Sequence, residues 1–104
     1  MQQPAAPQRP VPAFLPINAL MLQAVKKVEV VIQELGRRGF AVVGIDMSTP
    51  SRPTVQIQTS ARCAQLIESG QAAYYGFGLG QIGHFREGQF CLDGCRVVWT
   101  ENAN

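Results

Sequence analysis

Residues 89–100 read QFCLDGCRVVWT, and the Asp93-Gly94 pair at their centre decides how the chain folds. Asp-Gly between two apolar-alternating runs is a two-residue hairpin turn, because both central residues of such a turn take positive φ. The turn fixes the register. Leu92 pairs with Cys95, Cys91 with Arg96, Phe90 with Val97 and Gln89 with Val98. Phe90, Leu92, Cys95, Val97 and Trp99 then share one face, and Gln89, Cys91, Arg96, Val98 and Thr100 the other. A one-residue slip would mix the faces. The first strand of this hairpin is expected to begin near Gly83 to Phe85.

A second hairpin is expected upstream. In residues 40–47, FAVVGIDM, period-two alternation places Ala41, Val43, Ile45 and Met47 on one face. Phe40, Val42, Gly44 and Asp46 fall on the other. Residues 48–53, STPSRP, carry two prolines and make a turn. Residues 54–59, TVQIQT, alternate again, with Val55 and Ile57 inward and Thr54, Gln56 and Gln58 outward.

Elsewhere the period becomes helical. Over residues 18–38, Leu20, Met21, Ala24, Val25, Val28, Ile32 and Leu35 recur at steps of three and four. This predicts a long helix with Asn18 as N-cap. Arg37 and Arg38 would end it, where cations suit the dipole, and Gly36 or Gly39 would supply the left-handed stop. A shorter helix is predicted from a Thr59 or Ser60 cap to about Ser69, followed by Gly70. Cys63, Leu66 and Ile67 share its inner face. Residues 71–83, QAAYYGFGLGQIG, mix glycine with Tyr74, Tyr75 and Phe77, and the run Gly78 to Gly83 is expected to form a flexible loop or a bulged strand start.

The predicted order is therefore α-β-β-α-β-β. It implies a two-layer α+β domain: an antiparallel four-stranded sheet of two hairpins, covered on one face by two helices. The outer face is polar and rich in glutamine. An exposed edge strand would allow a homodimer by strand addition.

The 104 residues bound the possibilities further. With 46% hydrophobic and 15% charged residues, the chain is one globular domain. A net charge of +2 argues against holding nucleic acid by bulk charge. Five of the seven prolines fall in residues 1–16, which are expected to be a flexible extended arm ahead of a domain at 17–104. Phe14, Leu15 and Ile17 are expected to pin the end of that arm to the core. The arm has PxxP spacings, though a plain proline-rich tail is the simpler reading. It has neither the charged start nor the apolar run of a secretory signal. No apolar stretch approaches the roughly 20 residues of a membrane span. Three cysteines form no closed set of disulfides. Together these features predict a cytoplasmic protein.

No catalytic or metal constellation is legible, and no cofactor is expected. Gly78 to Gly83 match G-x-G-x-x-G, but a helix precedes them and a β-like run follows, the reverse of a dinucleotide-binding unit. Cys63, His84, Cys91 and Cys95 are the soft ligands besides methionine, yet the hairpin register puts Cys91 and Cys95 on opposite faces. Cys91 is the candidate exposed thiol, with nothing to mark it as activated. His84 has no evident catalytic partner. Strand geometry does gather one group. The first strand runs roughly 26 Å away from Arg37 and Arg38 and carries the chain to Arg52 at the far end. The second strand returns, so Arg62 should join Arg37 and Arg38. With Tyr74, Tyr75 and Phe77 they would bind a nucleic-acid strand by charge and stacking.

The helix ending in Gly39, FAVVGIDM, Arg52-Pro53 entering TVQIQT, and the closing CLDGCRVVWTE together resemble small bacteriophage and prophage accessory proteins. The likeness spans residues 19–101 and carries over no active residues. It implies a small non-enzymatic binding protein, such as a phage-type modulator or inhibitor of a protein partner. Tyr74, Tyr75, Phe77 and Arg86 are the expected contacts, since Tyr and Arg dominate interface anchors. A nucleic-acid-binding module using Arg37, Arg38, Arg62 and Arg86 with the aromatic-glycine loop is the alternative.

Overall fold

The final apolar run of the chain becomes the central strand of the sheet. In the computed structural model, which describes residues 15–80 and 83–102, the elements are α1 (Pro16–Arg37), β1 (Val42–Asp46), β2 (Thr54–Ile57), α2 (Ala61–Glu68), β3 (Ala73–Gly80), β4 (Gly83–Leu92) and β5 (Cys95–Asn102). The strands form one sheet in the order β1-β2-β5-β4-β3. β2 and β5 are parallel, and the other neighbours are antiparallel.

The expected four-stranded antiparallel sheet of order α-β-β-α-β-β is thus corrected to a five-stranded mixed sheet. The stretch whose glycines were expected to make a flexible loop or a bulged strand start is β3, a strand with a bulge between Tyr74 and Gly76. Its glycines alternate with larger residues and leave room for rings from the next strand. A Cβ on Gly78 would fall inside the Phe85 ring. The same device recurs at Gly88, whose missing side chain is replaced by the Trp99 indole. Aromatic cover of this kind offsets the packing that glycine strands lack. The chain returns through α2, β3 and β4 before β5 enters beside β2, and such a crossover makes a parallel pair possible.

The closing hairpin has the expected register, from Leu92↔Cys95 through Gln89↔Val98, and β4 begins at Gly83. In the first hairpin a bulge between Val42 and Gly44 overturns the simple alternation. The extra residue, Val43, is exposed, while Phe40, Val42 and Met47 belong to or pack on the core.

α1 starts two residues earlier than expected, with Pro16 in its first turn and Leu15 rather than Asn18 at the N-cap. Both helices stop as their glycines predict. Gly39 and Gly70 have φ of +87° and +80°. Phe40 N–H donates to the Leu35 carbonyl, and Gln71 N–H to that of Leu66, both at 2.9 Å, which closes a Schellman motif at each end. Val28, Val31 and Leu35 of α1 and Cys63 of α2 meet Val55, Ile57, Cys95, Val97 and Trp99 of the sheet. Each such aliphatic burial contributes roughly 1.5–3 kcal/mol. Leu15 and Ile17 are more than half exposed and do not pin the chain to this core. The expected arm, apart from its last two residues, lies outside the described residues, as do Gln81 and Ile82 of the glycine segment. No helix among the described residues is long and apolar enough to cross a membrane.

Candidate functional site

β3 is an edge of the sheet, so one side of its backbone has no ladder partner among the described residues. Phe77 and Leu79 lie opposite Arg86 and His84 on β4 and are each 73% exposed. They project on the helix-bearing side of the sheet. Tyr75 falls at a bulge between Tyr74 and Gly76 and turns to the open side, where its ring stacks on Arg96 at 4.5 Å. Arg96 Nε in turn donates to Gln89 Oε1 at 2.6 Å.

The four expected contacts are therefore divided. Tyr74, Phe77 and Arg86 share one side, and Tyr75 faces the other. Tyr74 and Arg86 are also committed internally, to Glu101. Tyr74 Oη donates to Glu101 Oε1 at 3.2 Å, Arg86 Nε to the same oxygen at 3.0 Å, and Trp99 Nε1 to Oε2 at 2.7 Å. The Arg86 guanidinium also covers the Tyr74 ring at 4.2 Å. Only 17% of the Glu101 side chain is exposed. Burial pushes its carboxyl up, but the hydrogen bonds from Trp99, Arg86 and Tyr74 outweigh it and hold the group below the usual carboxylate range. Burial, then the Glu101 charge, pushes the Tyr74 phenol up. This network braces β3, β4 and β5 and holds Phe77, whose ring lies 6.4 Å from that of Tyr74, at the free edge.

The second group is the arginine cleft. Arg37, Arg38 and Arg62 do line one cleft of about 470 Å3, with Phe40 and Leu66 as its apolar wall. Arg62 packs against the bare face of Gly39, where a Cβ would come within 2.8 Å of Nε. Glu34 binds both neighbours, with Arg37 Nη2 and Arg38 Nε each 2.8 Å from its carboxylate. The two arginines lower its pKa by hydrogen bonding. Arg62 has no acidic partner among the described residues. No aromatic residue of β3 lines the cleft, so the expected union of arginines with Tyr74, Tyr75 and Phe77 does not form. Arg52 lies elsewhere, as the strand directions predict, and its Nη2 is 3.2 Å from the exposed Cys91 thiol.

Among the described residues no three His, Cys, Asp or Glu side chains gather to hold a metal ion. Cys63 and Cys95 are buried, and burial pushes the Cys95 thiol up. His84 is exposed on β4. The glycines of the G-x-G-x-x-G match are strand residues. They open no helix on which a phosphate would rest.

Leu79 and Glu101 are the site residues that sequence reasoning missed. Leu79 was visible in the alternation Phe77-Gly78-Leu79-Gly80, once that run is taken as a strand. A family model described as an uncharacterised protein matches residues 10–102. No curated protein and no solved structure matches the chain.

Proposed function

The chain belongs to this family described as an uncharacterised protein, and from that premise we propose that it is a non-enzymatic module that binds a protein partner along β3. The observation that carries this reading is the pair Phe77 and Leu79, 73% exposed on an edge strand whose outer side has no partner among the described residues. Natural sheets usually blunt such an edge with charge or proline, and Ala73–Gly80 contains neither. An extended segment of the partner would hydrogen-bond to the β3 backbone. Its alternate side chains would meet Phe77 and Leu79. The same edge would also serve strand addition between copies. A modulator of a host or phage protein, in keeping with the resemblance drawn from the sequence, fits this mode.

The test compares wild type with Phe77→Ala plus Leu79→Ala in a pulldown from host lysate, with a nuclease-treated sample in parallel. Both side chains are solvent-facing, so Tm is expected to be unchanged. A nuclease-resistant partner should be retained by wild type and lost by the variant, with affinity at least ~30-fold weaker. Retention of the same partner by a folded variant would sink the assignment.

One observation favours a second reading, binding of nucleic acid at the arginine cleft: Arg37, Arg38 and Arg62 converge there. Two of them already pair with Glu34, so few phosphates would be neutralised. Binding should then fall with salt with a slope of about 2–3, and Arg62→Ala should lower that slope by about one. A flat titration at low salt would remove this reading.

A further inference from the structure

The first two turns of α1 do not rest on the sheet. Ala24, Val28, Val31 and Leu35 form the buried stripe of the helix. Ile17 lies two turns before Ala24 on the same stripe, and Leu20 beside it, yet they are 51% and 46% exposed. Support begins at the buried Ala24, and Lys27 is held just beyond it. A Cβ on Gly94, in the β4–β5 turn, would lie 2.9 Å from its Cδ. Its Nζ reaches the Ser51 carbonyl at 3.5 Å.

This overhanging half is apolar on more than one side. Residues 16–25, PINALMLQAV, contain no charge. Leu22 and Val25, each about half exposed, carry the apolar surface round to a groove of about 550 Å3 between α1 and β1. Val25, Ile32, Ile45 and Met47 line it, together with Glu29 and Gln33. A helix that is apolar well beyond one stripe is normally covered.

We propose that a second copy of this chain covers the strip from Ile17 through Val25 to Ile45, with the two α1 helices packed antiparallel about a two-fold axis. Two features select a second copy. The surface is self-complementary, because antiparallel pairing sets one uncharged helical half against the other copy's mostly apolar groove. The flanking charges also match. Lys26 and Glu29 are exposed, three residues apart, and have no ion-pair partner among the described residues. A two-fold axis near residues 27–28 brings each Lys26 to the other copy's Glu29. This interface lies on α1 and β1, away from the β3 edge, so it stands or falls separately from the partner-binding reading.

The experiment measures the mass of the full chain by light scattering and sedimentation across a dilution series. A dimer is expected. Leu22→Glu plus Val25→Glu, at solvent-facing positions, should weaken dimerisation at least ~30-fold with an unchanged circular dichroism spectrum. Lys26→Glu and Glu29→Lys should each weaken it, and mixing the two single variants should restore it as a heterodimer, which a pair within one helix cannot do. Phe77→Ala plus Leu79→Ala should leave the dimer intact. A monomer at every concentration overturns the proposal, because the strip is then covered within the chain or by another protein. So does a dimer indifferent to the α1 variants.

Discussion

Replacing Gly88 by alanine is expected to destabilise the protein by about 3 kcal/mol, the upper range for forcing one extra methyl into a packed core. In a domain of this size that lowers Tm by about 15 °C. The cause is local. The Trp99 indole lies where the new Cβ would go. The indole has little freedom to move, because it is buried, tilted against Phe90 at 6.4 Å between ring centroids, and fixed through Nε1 to Glu101. Two further variants isolate this clash. Gly36→Ala places a methyl in open space within α1 and should stabilise by about 0.5 kcal/mol. Trp99→Leu should make Gly88→Ala markedly less harmful than it is beside tryptophan. If Gly88→Ala costs the same in both backgrounds, the indole is not the obstacle.

Removing Glu101 is the second large effect. Glu101→Ala leaves the buried Trp99 N–H without its acceptor and unpairs Arg86. About 3 kcal/mol is expected, within the range for orphaned buried donors and broken, mostly buried pairs. Glu101→Gln keeps the size and an acceptor oxygen and should lose about half as much. The pH dependence separates charge from shape. The folded-state pKa of Glu101 is depressed, so its stabilisation is present in full above the unfolded value of about 4.3. It is lost as pH falls through the lower folded value. Wild type should therefore lose stability below about pH 4, and the loss should be shallower in Glu101→Gln. Urea unfolding across pH 2.5–7 measures both curves. Parallel curves would mean that the carboxylate charge does not hold β3, β4 and β5 together.

The hairpin at Asp93-Gly94 was readable residue by residue because turn chemistry and alternation agree there. Gly39 and Gly70 were readable as helix stops for the same reason. The arginine cleft was also legible, since counting strand residues fixes which end of the sheet each arginine reaches. β3 was hidden because its glycines, taken singly, signal a turn. Their purpose is visible only when the Phe85 ring is known to lie on Gly78. The bulge at Val43 was hidden because the apolar residues on either side of it continue without interruption. Glu101 gave no signal of its own, because its donors come from three different strands.

The parallel pairing of β2 with β5 bears on how the molecule assembles. β3, β4 and β5 can form as a local meander, and β1 with β2 as a local hairpin. The seam between them joins Thr54 to Arg96, and closing it fixes the ends of a long intervening stretch. Loop-closure entropy makes such non-local contacts slow to form. The seam carries Val55 and Val97, both fully buried. Until it closes, both halves present an open strand edge beside unburied apolar side chains. Docking of the two ribbons is therefore the step expected to limit the rate of folding, and the interval before it is when the chain is expected to be most prone to aggregate.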